Sequence, residues 1–220
     1  PLLAHAVERA GLIAEDLLIV TNQDHYFLTE KLLQQTPAAP KASFLLEPKG
    51  RNTAPAIALA VRHIQKTHGD DAVCLVLAAD HLISGDEAFQ KAVGLAREQA
   101  QAGNLVVFGI RPTAPETGYG YLEVAAASEA PQKLQSFVEK PDRATAENYL
   151  AEGRYYWNSG MFCFTAGVMA ENMASHAGAV WAASDAAYAQ ATTEGAATRF
   201  DEASFVAQPD ISIDYAVMEK

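Results

Sequence analysis

From Val73 to Ala79 the chain reads Val-Cys-Leu-Val-Leu-Ala-Ala, without one charged side chain. A short, near-continuous apolar run of this kind marks a central strand buried on both faces. A sheet covered on both faces needs helices on both sides, and the flanking sequence supplies them. Leu17–Thr21 and Phe44–Leu46 read as further strands, and Leu105–Ile110 as another buried one. Between them Asp24–Gln34 reads as a helix with Phe27, Leu28 and Leu32 inward. Ala54–Thr67 reads as a second helix, with Ile57, Val61 and Ile64 on one face and Gly69 as its stop. Ser84-Gly-Asp-Glu87 is a capping box opening a third, which runs to about Ala102 before Gly103. This alternation predicts an α/β fold with a mostly parallel sheet and helices on both sides.

After Ile110 the rhythm changes. Tyr121–Ala125, Leu134–Val138 and Met161–Thr165 are shorter strands between Pro/Gly loops, suited to a mixed or antiparallel extension of the sheet. Asp142 caps a helix to about Glu152, and Ala166–Ala197 is Ala-rich and helical, with Met169, Met173, Trp181 and Tyr188 as anchors of peripheral packing. No repeat or low-complexity linker interrupts the 220 residues, so a single domain is expected over 1–220. The first residues form an apolar helix face at Leu2, Leu3, Ala6, Val7 and Ala10, and the last stop within a helical pattern. No initiator Met and no signal peptide is visible, and the expectation is a fragment of a longer protein.

The formal net charge of −11 disfavours a polyanion partner, since phosphate contacts need clustered Lys and Arg. No nucleic acid is expected as partner. No run of about 18 apolar residues exists to cross a membrane. Cys74 and Cys163 lie far apart inside apolar runs, which fits buried thiols in a reducing, cytoplasmic compartment. The six His residues have no zinc-ligand spacing, no G-x-G-x-x-G supports a dehydrogenase, and no G-x-S-x-G supports a serine nucleophile.

Chemistry concentrates at strand ends. Asp80-His81 follows the Val73–Ala79 strand, where α/β sheets gather ligands, and a lone Asp there suits Mg²⁺, which takes one or two carboxylates plus phosphate oxygens. Glu47-Pro48-Lys-Gly-Arg51-Asn52-Thr53-Ala-Pro55 is a strand–loop–helix junction, with Asn52 or Thr53 as cap and Pro55 in the first turn. Its Arg and Asn are donors suited to a base edge or a phosphate. Glu116-Thr-Gly-Tyr119-Gly120-Tyr121 lets backbone approach a ligand beside an aromatic wall. Glu139-Lys140 stands at a strand end before Pro141. Neighbours in a strand point to opposite faces, which predicts two separate side chains rather than a simple salt bridge. Tyr155-Tyr-Trp-Asn158-Ser-Gly160 offers aromatics and one amide at a turn that leads into the next strand, equipment for gripping a sugar.

Taken in order, these segments resemble the mannose-1-phosphate guanylyltransferases, also called GDP-mannose pyrophosphorylases. The matching pieces are Glu47-Pro-x-x-Arg51-Asn-Thr-Ala-Pro55, Leu77-Ala-Ala-Asp80-His81, Phe108-Gly-Ile110 with Pro115-Glu-Thr-Gly-Tyr-Gly-Tyr121, Phe137-Val-Glu-Lys-Pro141, Tyr156-Trp-Asn-Ser-Gly-Met-Phe162 and Ser212-Ile-Asp-Tyr-Ala-Val-Met-Glu-Lys220. The likeness spans nearly the whole chain, is weakest over Ala166–Asp201, and points to the bacterial branch that includes enzymes with an appended phosphomannose isomerase domain. It implies a Rossmann-like nucleotidyltransferase core with a mostly parallel mixed sheet, GTP and mannose 1-phosphate as substrates, and GDP-mannose and pyrophosphate as products. Asp80 would hold Mg²⁺, and Asp80 and Lys140 would be the catalytic residues. Glu47, Pro48, Arg51, Asn52 and Thr53 would line the guanine pocket. Tyr119, Gly120, Glu139 and Asn158 would bind the sugar and Lys140 its phosphate. A homo-oligomer is compatible with this.

Two elements of that family are not in the sequence: a glycine-rich, Arg-containing phosphate loop, expected before Pro1, and a second metal-binding Asp, expected after Lys220. Little or no transferase activity is therefore expected of these 220 residues alone. Two alternatives remain at this point. One is a pyrophosphorylase for another sugar 1-phosphate and nucleotide; the other is a non-catalytic nucleotide-sugar-binding subunit.

Overall fold

The computed structural model describes residues 1–37, 39–128 and 130–220. Its elements run α1 (Leu2–Gly11), β1 (Asp16–Asn22), α2 (Tyr26–Gln35), β2 (Lys41–Glu47), α3 (Thr53–His68), β3 (Val73–Val76), α4 (Asp86–Gln101), β4 (Val106–Ile110), β5 (Gly120–Glu123) and β6 (Ser136–Glu139). Then come α5 (Arg143–Glu152), β7 (Tyr155–Thr165), α6 (Ala166–His176), α7 (Gly178–Ala189), β8 (Thr192–Glu194), β9 (Ala197–Arg199) and α8 (Glu202–Val206), closed by a π-helical turn over Asp214–Met218. The class is α/β, as expected, with helices on both faces of mixed pairing.

Strand alternation decides the layers. Leu17 and Ile19 of β1, with Phe44 and Leu46 of β2, pack against Val7 of α1 and Leu33 of α2. Leu18, Val20 and Leu45 face the other way, onto Leu59 of α3, Ala187 of α7 and Phe205 of α8. The same division continues around β7. Phe162 and Phe164 meet Ile57 and Val61 of α3 and Met169 and Met173 of α6, while Cys163 faces Ala96 and Ala100 of α4. Helix α3 thus packs against both groups of strands.

Those groups are separate ladders. One runs β1-β2-β9-β8, parallel from β1 through β9, with β8 closing it as an antiparallel hairpin. The other is built on β7, which runs antiparallel to β3, β4 and β5, with β6 on β5. β1 and β3 each keep one side without a strand partner among the described residues.

Several local expectations need correction. The apolar run is a strand only over Val73–Val76, and its residues are half-buried because one of its sides is unpaired. In α2 the inward face is Tyr26, Thr29 and Leu33, whereas Phe27 and Leu28 are each 72 % exposed. A 3-10 turn at Gln23–His25 rotates the helix, and Tyr26 docks edge-on against Phe44 at 5.0 Å. The capping box does not form: Gly85, left-handed at φ 91°, is the N-cap and α4 starts one residue later than Ser84 would allow. Tyr155–Gly160 is no turn but the first half of the long strand β7. The Ala-rich segment is not peripheral, since Met169 and Met173 are fully buried in the main core, and its end forms β8 and part of β9.

Candidate active site

The C-terminal ends of β3 and β6 and the middle of β7 meet around a cavity of about 560 Å³. Asp80, Tyr119, Gly120, Glu139 and Asn158 line it, so five residues singled out from scattered motifs converge. Asp214, from the C-terminal π-turn, joins them.

Asp80 stands exposed in the turn after β3. Its neighbour is pinned from behind: the buried Arg9 guanidinium of α1 donates to the His81 carbonyl at 3.2 Å and lies 5.6 Å over the Phe89 ring. A buried guanidinium with so few partners is costly to hold, which makes this a firm anchor for the loop.

Across the cavity the strand ladder sets the groups on β5 and β6. Gly120 pairs with Glu139 in the β5–β6 register. A Cβ on Gly120 would meet Glu139 Oε2 at 2.5 Å and Asn158 Cβ at 3.3 Å, so the absent side chain is what lets that carboxylate lie flat over the strand. Lys140 turns out of the strand with φ 50°. That left-handed turn overrides strand alternation and corrects the expectation of separate side chains: Lys140 Nζ pairs with Glu139 Oε1 at 2.9 Å. The contact holds the exposed ammonium above its ordinary range. Tyr119, half-exposed, meets Trp157 edge-on at 5.2 Å.

Asn158 opposes Gly109 at an irregularity where β4 and β7 slip register. Its amide is fixed at both ends: Oδ1 accepts from the Gly160 N–H at 3.1 Å, and Nδ2 donates to Asp214 Oδ1 at 2.9 Å. One Nδ2 hydrogen is left for a ligand.

The Glu47–Thr53 residues do not line this cavity. Asn52 caps α3 by accepting from the Thr53 N–H at 2.9 Å, with φ 67°. Asn52 and Lys140 are the two non-glycine residues with positive φ among those described, so backbone strain falls on both halves of the predicted site. Arg51 donates to the Val206 carbonyl at 2.6 Å, and Thr53 Oγ1 accepts from the Ile213 N–H at 2.9 Å. Pro48 follows β2 at the head of the loop. Glu47 carries a buried Oε1 with no partner, and burial pushes its carboxyl up to about 7.

This arrangement, a lone Asp after one strand and a Glu-Lys pair and amide on others, coincides with a family match. The Nucleotidyl transferase family matches residues 1–202 of the chain. The chain belongs to that family. Among relatives, the xanthan biosynthesis protein XanB of Xanthomonas campestris pv. campestris is 47 % identical over 96 % of this chain and 44 % of its own length. A mannose-1-phosphate guanylyltransferase of Klebsiella pneumoniae is 44 % identical over 96 % of this chain and 45 % of its own. A crystal structure described as mannose-6-phosphate isomerase from Helicobacter pylori superposes with TM-score 0.90 at 32 % identity, covering 100 % of this chain and 84 % of that one. The chain spans less than half the length of the XanB and Klebsiella relatives.

In this nucleotidyl transferase the residue overlooked by sequence reasoning is Asp214. Its signal was present, inside the Ser212-Ile-Asp-Tyr segment, but nothing local says that the segment folds back onto β6 and β7. Gly120→Ala is expected to raise the KM for whichever substrate of the intact protein contacts Glu139 about 10- to 100-fold, with a smaller effect on the other, because the new methyl displaces the Glu139 carboxylate. Steady-state kinetics with each substrate varied in turn checks this.

Proposed function

We propose that the intact protein is a mannose-1-phosphate guanylyltransferase, transferring GMP from GTP to mannose 1-phosphate. The observation that carries this reading is the convergence of Asp80, Glu139 and Asn158 on one cavity, with Lys140, outside that lining, paired to Glu139 at its edge. Relatives named mannose-1-phosphate guanylyltransferase, at 43–45 % identity, support the choice of mannose and guanine.

The sugar-phosphate oxygen forms a new bond to the α-phosphorus of GTP, and the α–β bridging P–O bond breaks to release pyrophosphate. Such in-line transfer needs alignment and charge neutralisation rather than a covalent intermediate. Lys140 holds the sugar phosphate, Glu139 accepts from ring hydroxyls, and the free Nδ2 hydrogen of Asn158 donates to a ligand oxygen. Glu47 and the loop to Thr53 face the base. Asp80 fits Mg²⁺, because that ion is content with one or two carboxylates and fills its remaining positions with water and phosphate oxygens. When bound, Mg²⁺ would offset the negative charge that builds up on the phosphates. The free thiols of half-buried Cys74 and buried Cys163 suit a reducing, cytoplasmic setting. No helix among the described residues is long and apolar enough to cross a membrane.

The test is product analysis with the intact protein, Mg²⁺, each of GTP, ATP, dTTP and UTP, and either mannose 1-phosphate or glucose 1-phosphate. GDP-mannose and pyrophosphate in equal amounts are expected from the first pairing, at the highest kcat/KM. Preference for another pairing, or interconversion of mannose 6-phosphate without nucleotide consumption, overturns the reading.

A further inference from the structure

The last segment of the chain is held by the elements that build the two halves of the site. Ala54 at the start of α3 donates from its N–H to the Ile211 carbonyl at 3.1 Å, and Thr53 Oγ1 takes the Ile213 N–H. The turn then winds as a π-helix, a rare form that clusters at functional sites. At its far end Glu219 Oε1 accepts from the Glu139 N–H at 3.1 Å. One short turn therefore fixes the backbone of Glu139 and carries Asp214 into the same cavity.

We infer that Asp214 determines sugar specificity: together with Glu139 it accepts hydrogen bonds from ring hydroxyls of the hexose and so reads their configuration. This rests on the reading of the cavity as a sugar-phosphate site. The argument is one of missing donors. Among the described residues, the one hydrogen bond that the Asp214 carboxylate accepts from another residue's side chain comes from Asn158. A carboxylate has about four acceptor positions, so most of its capacity is unused. The nearby ammonium, Lys140, is already engaged with Glu139 at 2.9 Å. Burial and the Glu139 charge both push the Asp214 carboxyl up, and the Asn158 amide and Lys140 only partly offset them. Three carboxylates, Asp80, Glu139 and Asp214, line the cavity, and the nearby ammonium is Lys140 at its edge, so the sugar phosphate belongs on the exposed side of Lys140. A neutral ring rich in hydroxyls brings the donors that the Glu139 and Asp214 carboxylates lack. Because both are fixed by the same turn, an epimer that moves one hydroxyl from axial to equatorial leaves a half-buried acceptor unfilled. That kind of loss discriminates strongly.

The experiment compares Asp214→Asn, close to isosteric, and Asp214→Ala in the intact protein. It measures kcat and KM for mannose 1-phosphate and for GTP separately, and the ratio of kcat/KM between mannose 1-phosphate and glucose 1-phosphate. The expected result for Asp214→Asn is a KM for mannose 1-phosphate raised about 10-fold or more, a KM for GTP within about twofold, and an epimer preference reduced about 10-fold, as for loss of one charge-assisted hydrogen bond. Asp214→Ala, which also frees the Asn158 amide, loses more. An unchanged sugar KM and epimer ratio in both variants overturns the inference, as does an equal rise in both KM values, which marks a merely structural role. If the wild-type protein prefers another sugar phosphate, the proposed function fails while the inference stands or falls on the same measurements with that sugar.

Discussion

Asp80→Asn in the intact protein is expected to lower kcat by about 10²- to 10³-fold while leaving the melting temperature as in wild type. The side chain is exposed and makes no hydrogen bond or ion pair with described residues, so the fold loses nothing. The amide keeps the size of the group and removes its charge, which is what a hard divalent cation needs from it. A few kcal/mol of charge stabilisation translates into two or three powers of ten in rate. The measurement is turnover across a Mg²⁺ titration. A variant with unchanged turnover, or with the same Mg²⁺ dependence as wild type, sinks the metal role of Asp80.

Glu47 leads to a different kind of expectation. Its buried Oε1 has no partner, and the folded protein holds its proton up to about pH 7, well above the usual carboxylate value. Between about pH 4.5 and 7 the folded state therefore binds more protons than the unfolded chain, and stability contributed by this group declines as pH rises through that window. Above it the charged carboxylate stays buried at a constant cost, on the order of 3 kcal/mol at most from the size of the shift. Glu47→Gln removes that cost. Urea denaturation at pH 5 and pH 8 is expected to show the variant close to wild type at the lower pH and more stable, by about 1–3 kcal/mol, at the higher one. A variant no more stable than wild type at pH 8 contradicts the assignment. If the proposed guanine-binding role of Glu47 holds, the same variant also weakens the preference for GTP over ATP in the intact protein.

What could be read in the sequence were features written locally. Asn52 as cap, Pro55 in the first turn, Gly69 past the end of α3 and Asp142 before α5 all depend on a few consecutive residues. The α/β alternation did too. Features set by distant partners were not legible. Phe27 and Leu28 look inward by periodicity until Tyr26 finds Phe44. Glu139 and Lys140 look opposed until the backbone of Lys140 turns left-handed. Asp214 lies in a recognisable segment, but its place in the cavity depends on contacts to Asn158, 56 positions away, and through its turn to Thr53, 160 positions from Ile213.

The interruption between the two ladders governs how the polypeptide behaves in company. Among the described residues, β1 and β3 each leave a row of backbone N–H and C=O groups without a strand to meet them, on runs that are apolar and free of proline. Edges of that kind recruit extended chain from whatever is nearby, including other molecules of the same sequence. A formal net charge of −11 keeps molecules apart at long range, and salt screens that repulsion within about 10 Å at 0.1 M. Association in concentrated, salted solution is thus expected to start from such ribbons of main chain rather than from the acidic surface around them.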